Sequence, residues 1–378
     1  MLFALGKKLE IQPVEVSAPC RIDMGGSLDI DTFSYPLGYL KPCTFNLALD
    51  LRTHVRLFPY KEGRVKVTST GFKSADYAID RAPFNHPLGL MFAIAAYFRA
   101  GGVHIVIDSS SPPRSALGGS SSAAVALVAA FLEVLQKKAI SWKFKKKVAL
   151  LAHALEESVA GVPCGRQDQL AAAFGGVNAW HWQTGSIGSV FKKEAVVNTS
   201  YFKKLEKHLL LAYCGKPHES KNINGIWISQ FLSGRYRRLW SEIVTNTKKF
   251  IDAVGVKNYT KAAAAMNKEM AIRNKMTPDV LDDMGKKLVD TAVNNNCGAR
   301  FTGAGGGGCI WALGEIDNID KLNTIWKELI ATRKGASLLD AKIDSTGLRI
   351  ENGRYPSLSS ETLRQAEGSK TSRKAKEC

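Results

Sequence analysis

A chain of 378 residues, 45% of them apolar, is long enough to bury one large core or two of ordinary size. Its net charge of +18 favours polyanionic partners, either nucleic acid or a phosphorylated small molecule. The basic residues fall in small scattered groups such as Lys145–Lys147 and Arg235–Arg238, with no basic helix stripe and no RNP-type aromatic motif, so nucleic acid is not expected.

Extended, β-branched patterns at Val14–Arg21, Thr44–Phe58, Val65–Thr70 and Val103–Asp108 predict strands, and Leu88–Ala100 predicts a buried helix. At Ser115–Ala124 the chain reads Ser-Ala-Leu-Gly-Gly-Ser-Ser-Ser-Ala-Ala and runs directly into an apolar helix over Ser121–Lys138. Small residues let such a bend approach a ligand closely, and the helix start offers unpaired N–H groups and a positive dipole end to a phosphate. No lysine follows the glycines, so the Walker pattern is absent. A flexible Gly/Ser linker is the alternative, but linkers do not usually lead without a break into a stretch as apolar as Ala123–Leu135.

Phe144–Val159 predicts an amphipathic helix, with Val148, Leu151, Leu155 and Val159 on one face, and Gly165–Phe174 a short helix or turn. A second half begins near Leu205. It opens with a strand at Leu209–Tyr213 that breaks at Gly215, followed by helices near Ile223–Leu232, Leu239–Val254 and Val280–Val293. Arg300–Leu313 reads as strand, glycine turn, strand; a helix near Leu322–Thr332 and a last strand around Ala341–Ile350 follow. From Glu351 the composition predicts a basic, disordered tail. Seven cysteines without a Cys-x-x-Cys pair argue against a disulfide framework or a zinc site, and point to reduced thiols in a cytoplasm. Met1–Leu5 is too short for a signal peptide's apolar region, and no run reaches the ~18 apolar residues of a membrane span, so no membrane partner is expected.

Three glycine clusters lie far apart: Ser17–Asp29, with Arg21, Asp23, Gly25, Gly26 and Asp29; Pro112–Ala124; and Phe301–Gly308. In this order and at these separations they resemble the three signature motifs of the GHMP kinases, over roughly Val14–Ile350. The run Cys164–Asn178, containing Gln-Asp-Gln-Leu-Ala-Ala-Ala-Phe-Gly-Gly, and the run Gly25–Asp29 are most similar to D-glycero-D-manno-heptose 7-phosphate kinases. The Gly-Glu-His-Thr-Asp of galactokinases is missing, which lowers galactose as substrate.

The resemblance implies an α+β fold of two lobes: a ribosomal protein S5 domain 2-like N-terminal lobe (1–197) and a ferredoxin-like C-terminal lobe (198–350), followed by the tail (351–378). It also implies an ATP- and Mg²⁺-dependent sugar kinase acting on the anomeric hydroxyl of D-glycero-D-manno-heptose 7-phosphate. The alternatives are a fucose- or galactose-type 1-kinase on an unphosphorylated sugar, or a catalytically inactive relative that binds sugar and nucleotide. Asp168 is then the catalytic carboxylate, with Arg21 holding it charged; its alternative role is a helix N-terminal cap. Leu117, Gly118, Gly119, Ser120, Ser121, Ser122 and Ala123 would bind ATP. Usual family loops read Gly-Leu-Gly-Ser-Ser-Ala, so Ala116 replaces the first glycine and predicts a negative φ there. Ser121 or Ser122, with Glu156 or Glu157, would ligate Mg²⁺. Gly25, Gly26, Asp29, Gln167, Gly305 and Gly306 would bind the sugar, although Gly303–Gly308 also reads as a purely structural hairpin. Asp23 is either a binding residue or a salt-bridge partner of Arg21. Lys216, His218, Ser220 and Lys221 lie on a loop that would close over the sugar or its distal phosphate.

Overall fold

The computed structural model describes residues 3–136, 139–185, 189–217 and 220–351. A short helix that the sequence reading did not anticipate, α1 (Phe3–Ile11), precedes β1 (Val14–Met24), which is buried almost throughout. A four-residue helical turn, α2 (Asp31–Ser34), leads to β2 (Cys43–Pro59), a strand of 17 residues. That length lets β2 serve two partners on one side: residues 53–59 pair with β5 and residues 43–47 with β6, while β1 runs antiparallel along the other. The register of β1 shifts at Pro19, where the missing N–H favours a bulge.

β3 (Arg64–Ser69), β4 (Ala75–Ala78), the buried helix α3 (Gly89–Tyr97) and β5 (Val103–Ser109) follow. α4 (Gly119–Gln136) then packs across β1 and β2 beneath α5 (Trp142–Ala160) and α6 (Gln167–Phe174). Its length and composition would suit a membrane span, but it is the core helix of this lobe, with every residue from Ser121 to Leu132 buried. Wrapped on all sides by apolar neighbours, it can be apolar around its whole circumference. β6 (Val177–Trp182) and β7 (Phe191–Ala195), unforeseen like β4, complete one side of an eight-stranded sheet.

After α7 (Phe202–Leu205), β8 (Leu209–Tyr213) opens the second sheet. Helices α8 (Ser220–Leu232), α9 (Arg237–Gly255), α10 (Tyr259–Met276) and α11 (Asp283–Asn294) lead to β9 (Gly298–Phe301) and β10 (Cys309–Leu313). α12 (Ile316–Ala331) starts a turn and a half before the expected Leu322, and β11 (Ser337–Leu338) completes a four-stranded antiparallel sheet in the order β11-β8-β10-β9. The last strand, expected over Ala341–Ile350, is cut to β12 (Arg349–Ile350), which returns to pair with β1. Asp344 explains the loss of extended structure before it: its carboxylate accepts the N–H groups of Thr346 and Gly347 and pairs with buried Arg52. The predicted disordered tail lies, from residue 352, outside the described residues.

The two sheets are joined by a shared core in which Phe250 of α9 meets Phe45 of β2 and Trp311 of β10 edge-on. Phe33 of α2 stacks on Trp240 of α9 at 4.0 Å between ring centroids and meets Phe231 of α8 edge-on. The segment after β1 is therefore gripped by helices of the second half. All described cysteines are free thiols.

Candidate active site

β1 delivers Arg21 to the floor of a cavity of about 730 Å³. Past the bulge at Pro19, the Arg21 N–H donates to the carbonyl of Leu117, tying the strand to the glycine-serine loop. The guanidinium donates to both carboxylate oxygens of Asp168, at 2.8 and 2.7 Å, and to the carbonyl of Ala116 at 2.7 Å. Burial alone would lower the Arg21 pKa, but the charges of Asp168 and Asp23 outweigh it, so the group is held charged. Such a two-pronged pair fixes geometry as well as charge.

Asp168 is the second residue of α6, so it is not the cap: Arg166 stands at the N-cap, and no side chain of its own caps the helix. Instead the Asp29 carboxylate accepts the Gln167 N–H at 2.9 Å. Asp29 is buried, and burial pushes its pKa up to about 6 against that hydrogen bond, with the charge of Asp168 adding to the rise. Gly165 is the residue that permits this burial, because a Cβ there would fall on the Asp29 carboxylate.

The loop before α4 rises over Asp168. A Cβ built on Gly118, whose φ is +78°, would touch Asp168 Oδ2 at 3.4 Å, so the loop passes over the carboxylate with room for about one methyl group between them. Ala116, expected at negative φ, adopts +62°. This left-handed conformation costs an alanine about 1–2 kcal/mol, and the hydrogen bond from Arg21 to its carbonyl holds it there. The backbone of Ser115 also presses on Gly308, where an added Cβ would clash.

The metal alternatives separate cleanly. Ser121 donates to Glu156 Oε2 at 2.8 Å, and Gln169 Nε2 donates to the same oxygen at 2.7 Å. Burial raises the Glu156 pKa, the hydrogen bonds from Ser121 and Gln169 oppose that rise, and the charge of Asp168 reinforces it. The buried Oε1 of Gln169 has no partner among the described residues. A hydroxyl, a carboxylate and an unpaired amide oxygen together are a hard-oxygen set that fits Mg²⁺. Ser122 points elsewhere, donating to the carbonyls of Pro19 and Gly118, and Glu157 is exposed.

Arg21, Asp29, Gly118, Gly119, Ser120, Ser121, Ala123, Glu156, Gln167 and Asp168 thus all line one cavity. Other expected residues lie off its wall. Leu117 is buried in the core beneath the loop. Gly25 packs on Thr247, and the carbonyl of Gly26 accepts from Arg273. Gly305 and Gly306 pack on and bond to Val280, so this part of the third cluster is a structural turn; Gly303 and Ala304 line the cavity in their place. Lys216 is exposed, and its carbonyl accepts from Gly308. His218 lies outside the described residues, as does the side chain of Lys221.

Asp23 is fully buried and lies 3.8 Å from Arg21 Nη1, but its closer partners are Arg300, at 3.0 Å, and the Gly303 N–H, at 2.7 Å. Arg300 and Arg273 share Glu269, and all three are buried. Sequence reasoning missed this network because charged residues on a helix such as α10 read as a solvated face. It also did not single out Ser27 or Asn224, the latter at the end of the Leu211–Asn224 stretch, both of which line the same cavity. Nothing about a lone Asn on an amphipathic helix marks it out.

Residues 85–176 match the family model for the GHMP kinases N terminal domain. The chain is 25% identical over 370 residues to a mevalonate kinase of Thermococcus sibiricus, across 90% of this chain and 98% of that protein. Among solved structures, the galactokinase of Lactococcus lactis complexed with galactose is similar with a TM-score of 0.68 and 18% identity, covering 92% of this chain and 99% of that one. A D-glycero-D-manno-heptose 1-phosphate kinase from Bacteroides thetaiotaomicron is similar with a TM-score of 0.66 and 16% identity, covering 90% and 100%. The chain has the two-lobed α+β fold of these kinases.

Proposed function

We propose that the protein is an ATP-dependent kinase that phosphorylates a sugar hydroxyl. The observation that carries this reading is that the glycine-serine loop passes over Asp168, near enough for a methyl group on Gly118 to touch its carboxylate, which sets a candidate phosphate cradle beside a carboxylate. In this reading the lobes divide at residues 197 and 198, and nucleotide and acceptor meet between them. Amides at the start of α4 and the Ser120 hydroxyl hold the phosphates, favoured by the helix dipole. Ser121 and Glu156 would hold Mg²⁺, which when bound supplies positive charge to the phosphates.

Asp168 orients the acceptor hydroxyl and takes its proton at a carboxylate oxygen. Arg21 balances the charge of that carboxylate and, through two hydrogen bonds, fixes its aim. Phosphoryl transfer asks mainly for positioning and charge stabilisation, which this pair and the loop amides provide.

The acceptor end favours a polyol. Asp29 and Asp168 are acidic, Arg21 is already paired, and the buried Oδ1 of Asn224 and Oε1 of Gln167 have no partner among the described residues. Hydroxyl donors match this set of acceptors, so the end of the acceptor held here carries hydroxyls, and any anionic group on it lies away from these two acids. The specific acceptor we assign, from the similarity of the Gly25–Asp29 and Cys164–Asn178 runs, is D-glycero-D-manno-heptose 7-phosphate at its anomeric hydroxyl. The identity to mevalonate kinases over 98% of one such protein favours mevalonate as a second reading.

ADP release and product NMR with ATP and a panel of acceptors test both. The panel holds the heptose 7-phosphate, fucose, galactose and mevalonate. The highest kcat/KM is expected for the heptose phosphate. A higher value for mevalonate replaces the sugar reading, and ATP binding without turnover of any acceptor replaces the kinase with an inactive binder.

A further inference from the structure

α5 carries His153 and Glu157 four residues apart, on one face of the helix. The helix ends at Gly161, whose φ of +73° turns the chain back on itself. That reversal lays Cys164 against the same stretch of α5, where its carbonyl lies 3.0 Å from His153 Nε2. A ring nitrogen of His153, the thiol of Cys164 and a carboxylate oxygen of Glu157 all lie within 4.8 Å of one another. His153 is buried, Cys164 half-buried and Glu157 exposed, so the cluster opens to solvent on one side. Burial first, then the charges of Glu156, Glu157, Asp29 and Asp168, push the Cys164 thiol pKa up; these carboxylates outnumber the neighbouring cation, Arg166.

We propose that His153, Glu157 and Cys164 form a site for a thiophilic divalent cation of the zinc class, set in the wall of the acceptor end. Nitrogen, sulfur and oxygen donors in this number suit zinc or cobalt in a tetrahedral site with one open position, whereas magnesium prefers oxygen alone. On binding, the S–H bond of Cys164 breaks, a metal–sulfur bond forms and the proton leaves to solvent. Cysteine spacing gives no sign of the site, because its ligands come from a helix and from the turn that reverses it. Cys164 also lines the cavity beside Gly165 and Asp168, so a bound cation stands next to the acceptor. The assignment does not depend on which acceptor is used, or on turnover at all.

The test is a titration of the full chain, freed of metal by a chelator and held in excess Mg²⁺, with Co²⁺. One equivalent is expected to bind with a thiolate-to-cobalt charge-transfer absorption, to release a proton and to be displaced by Zn²⁺. Cys164→Ser should abolish the absorption, and Cys378→Ser should leave it intact. Glu157→Gln, at an exposed position that does not threaten folding, should weaken binding by roughly tenfold or more. A wild-type chain without the thiolate band, a band retained in Cys164→Ser, a band lost in Cys378→Ser or unchanged affinity in Glu157→Gln would each overturn the site.

Discussion

The Asp29 carboxylate accepts the N–H of Gln167 at 2.9 Å and so caps, from 138 residues away, the helix whose next residue is Asp168. One bond therefore fixes the two acidic groups of the acceptor end relative to each other. It also helps explain how Asp29 can be buried: its carboxylate faces a helix N-terminus, with the Arg166 guanidinium nearby.

The Asp29 pKa of about 6 has a consequence for stability. A carboxyl raised above its ordinary 3.8 binds its proton more tightly in the folded chain than in the unfolded one. Its stabilising contribution is full below about pH 4 and is lost as pH rises through about 6. Urea melts should show wild type losing about 2 kcal/mol relative to Asp29→Asn between pH 4 and 7. A difference independent of pH would mean the group does not titrate in that window.

Asp168→Asn should lower kcat by about 10²–10⁴-fold, with the affinity for a non-hydrolysable ATP analogue unchanged. Near-normal turnover would remove Asp168 as the base.

Ser121→Ala and Glu156→Gln should each raise the Mg²⁺ concentration needed for half-maximal rate. Ser122→Ala should not, because its hydroxyl is spent on the carbonyls of Pro19 and Gly118. A larger Mg²⁺ effect at Ser122 than at Ser121 would reverse the assignment.

Asn224→Ala should raise the KM for the acceptor about tenfold, the worth of one lost buried hydrogen bond, and leave the KM for ATP alone. Equal effects on both would place Asn224 outside the acceptor end.

Gly165→Ala puts a methyl group where the Asp29 carboxylate sits. Displacing that carboxylate should lower stability by about 1–3 kcal/mol, the usual cost of overpacking, and should raise the KM for the acceptor. Wild-type behaviour in both respects would show that Asp29 is not confined there.

Much of this was legible because the signals are local. The glycine-serine bend before α4, the β-branched strands and the Gln167–Gln169 run all declare themselves within a few residues, and the bend and the run do line the cavity. α10 did not: its buried face mixes Tyr259, three alanines and Met266, Met270 and Met276 with the charged Glu269 and Arg273, which breaks the apolar stripe. Those two charges pair with each other, but what lets them be buried, Arg300 on Glu269 and the Gly26 carbonyl on Arg273, lies in no nearby window of sequence. The φ of Ala116 was misjudged for the same reason. A residue-type preference predicts the cheaper conformation, and a hydrogen bond from Arg21, 95 residues away, selects the dearer one.

The pairing of Arg349–Ile350 with β1, and of Asp344 with Arg52, bears on how the chain is made. The first strand to leave the ribosome waits for nearly the last before its outer edge is covered. Until then that edge and the buried Arg52 stay open to water and to neighbouring nascent chains, and a messenger truncated before residue 344 would leave them so for good.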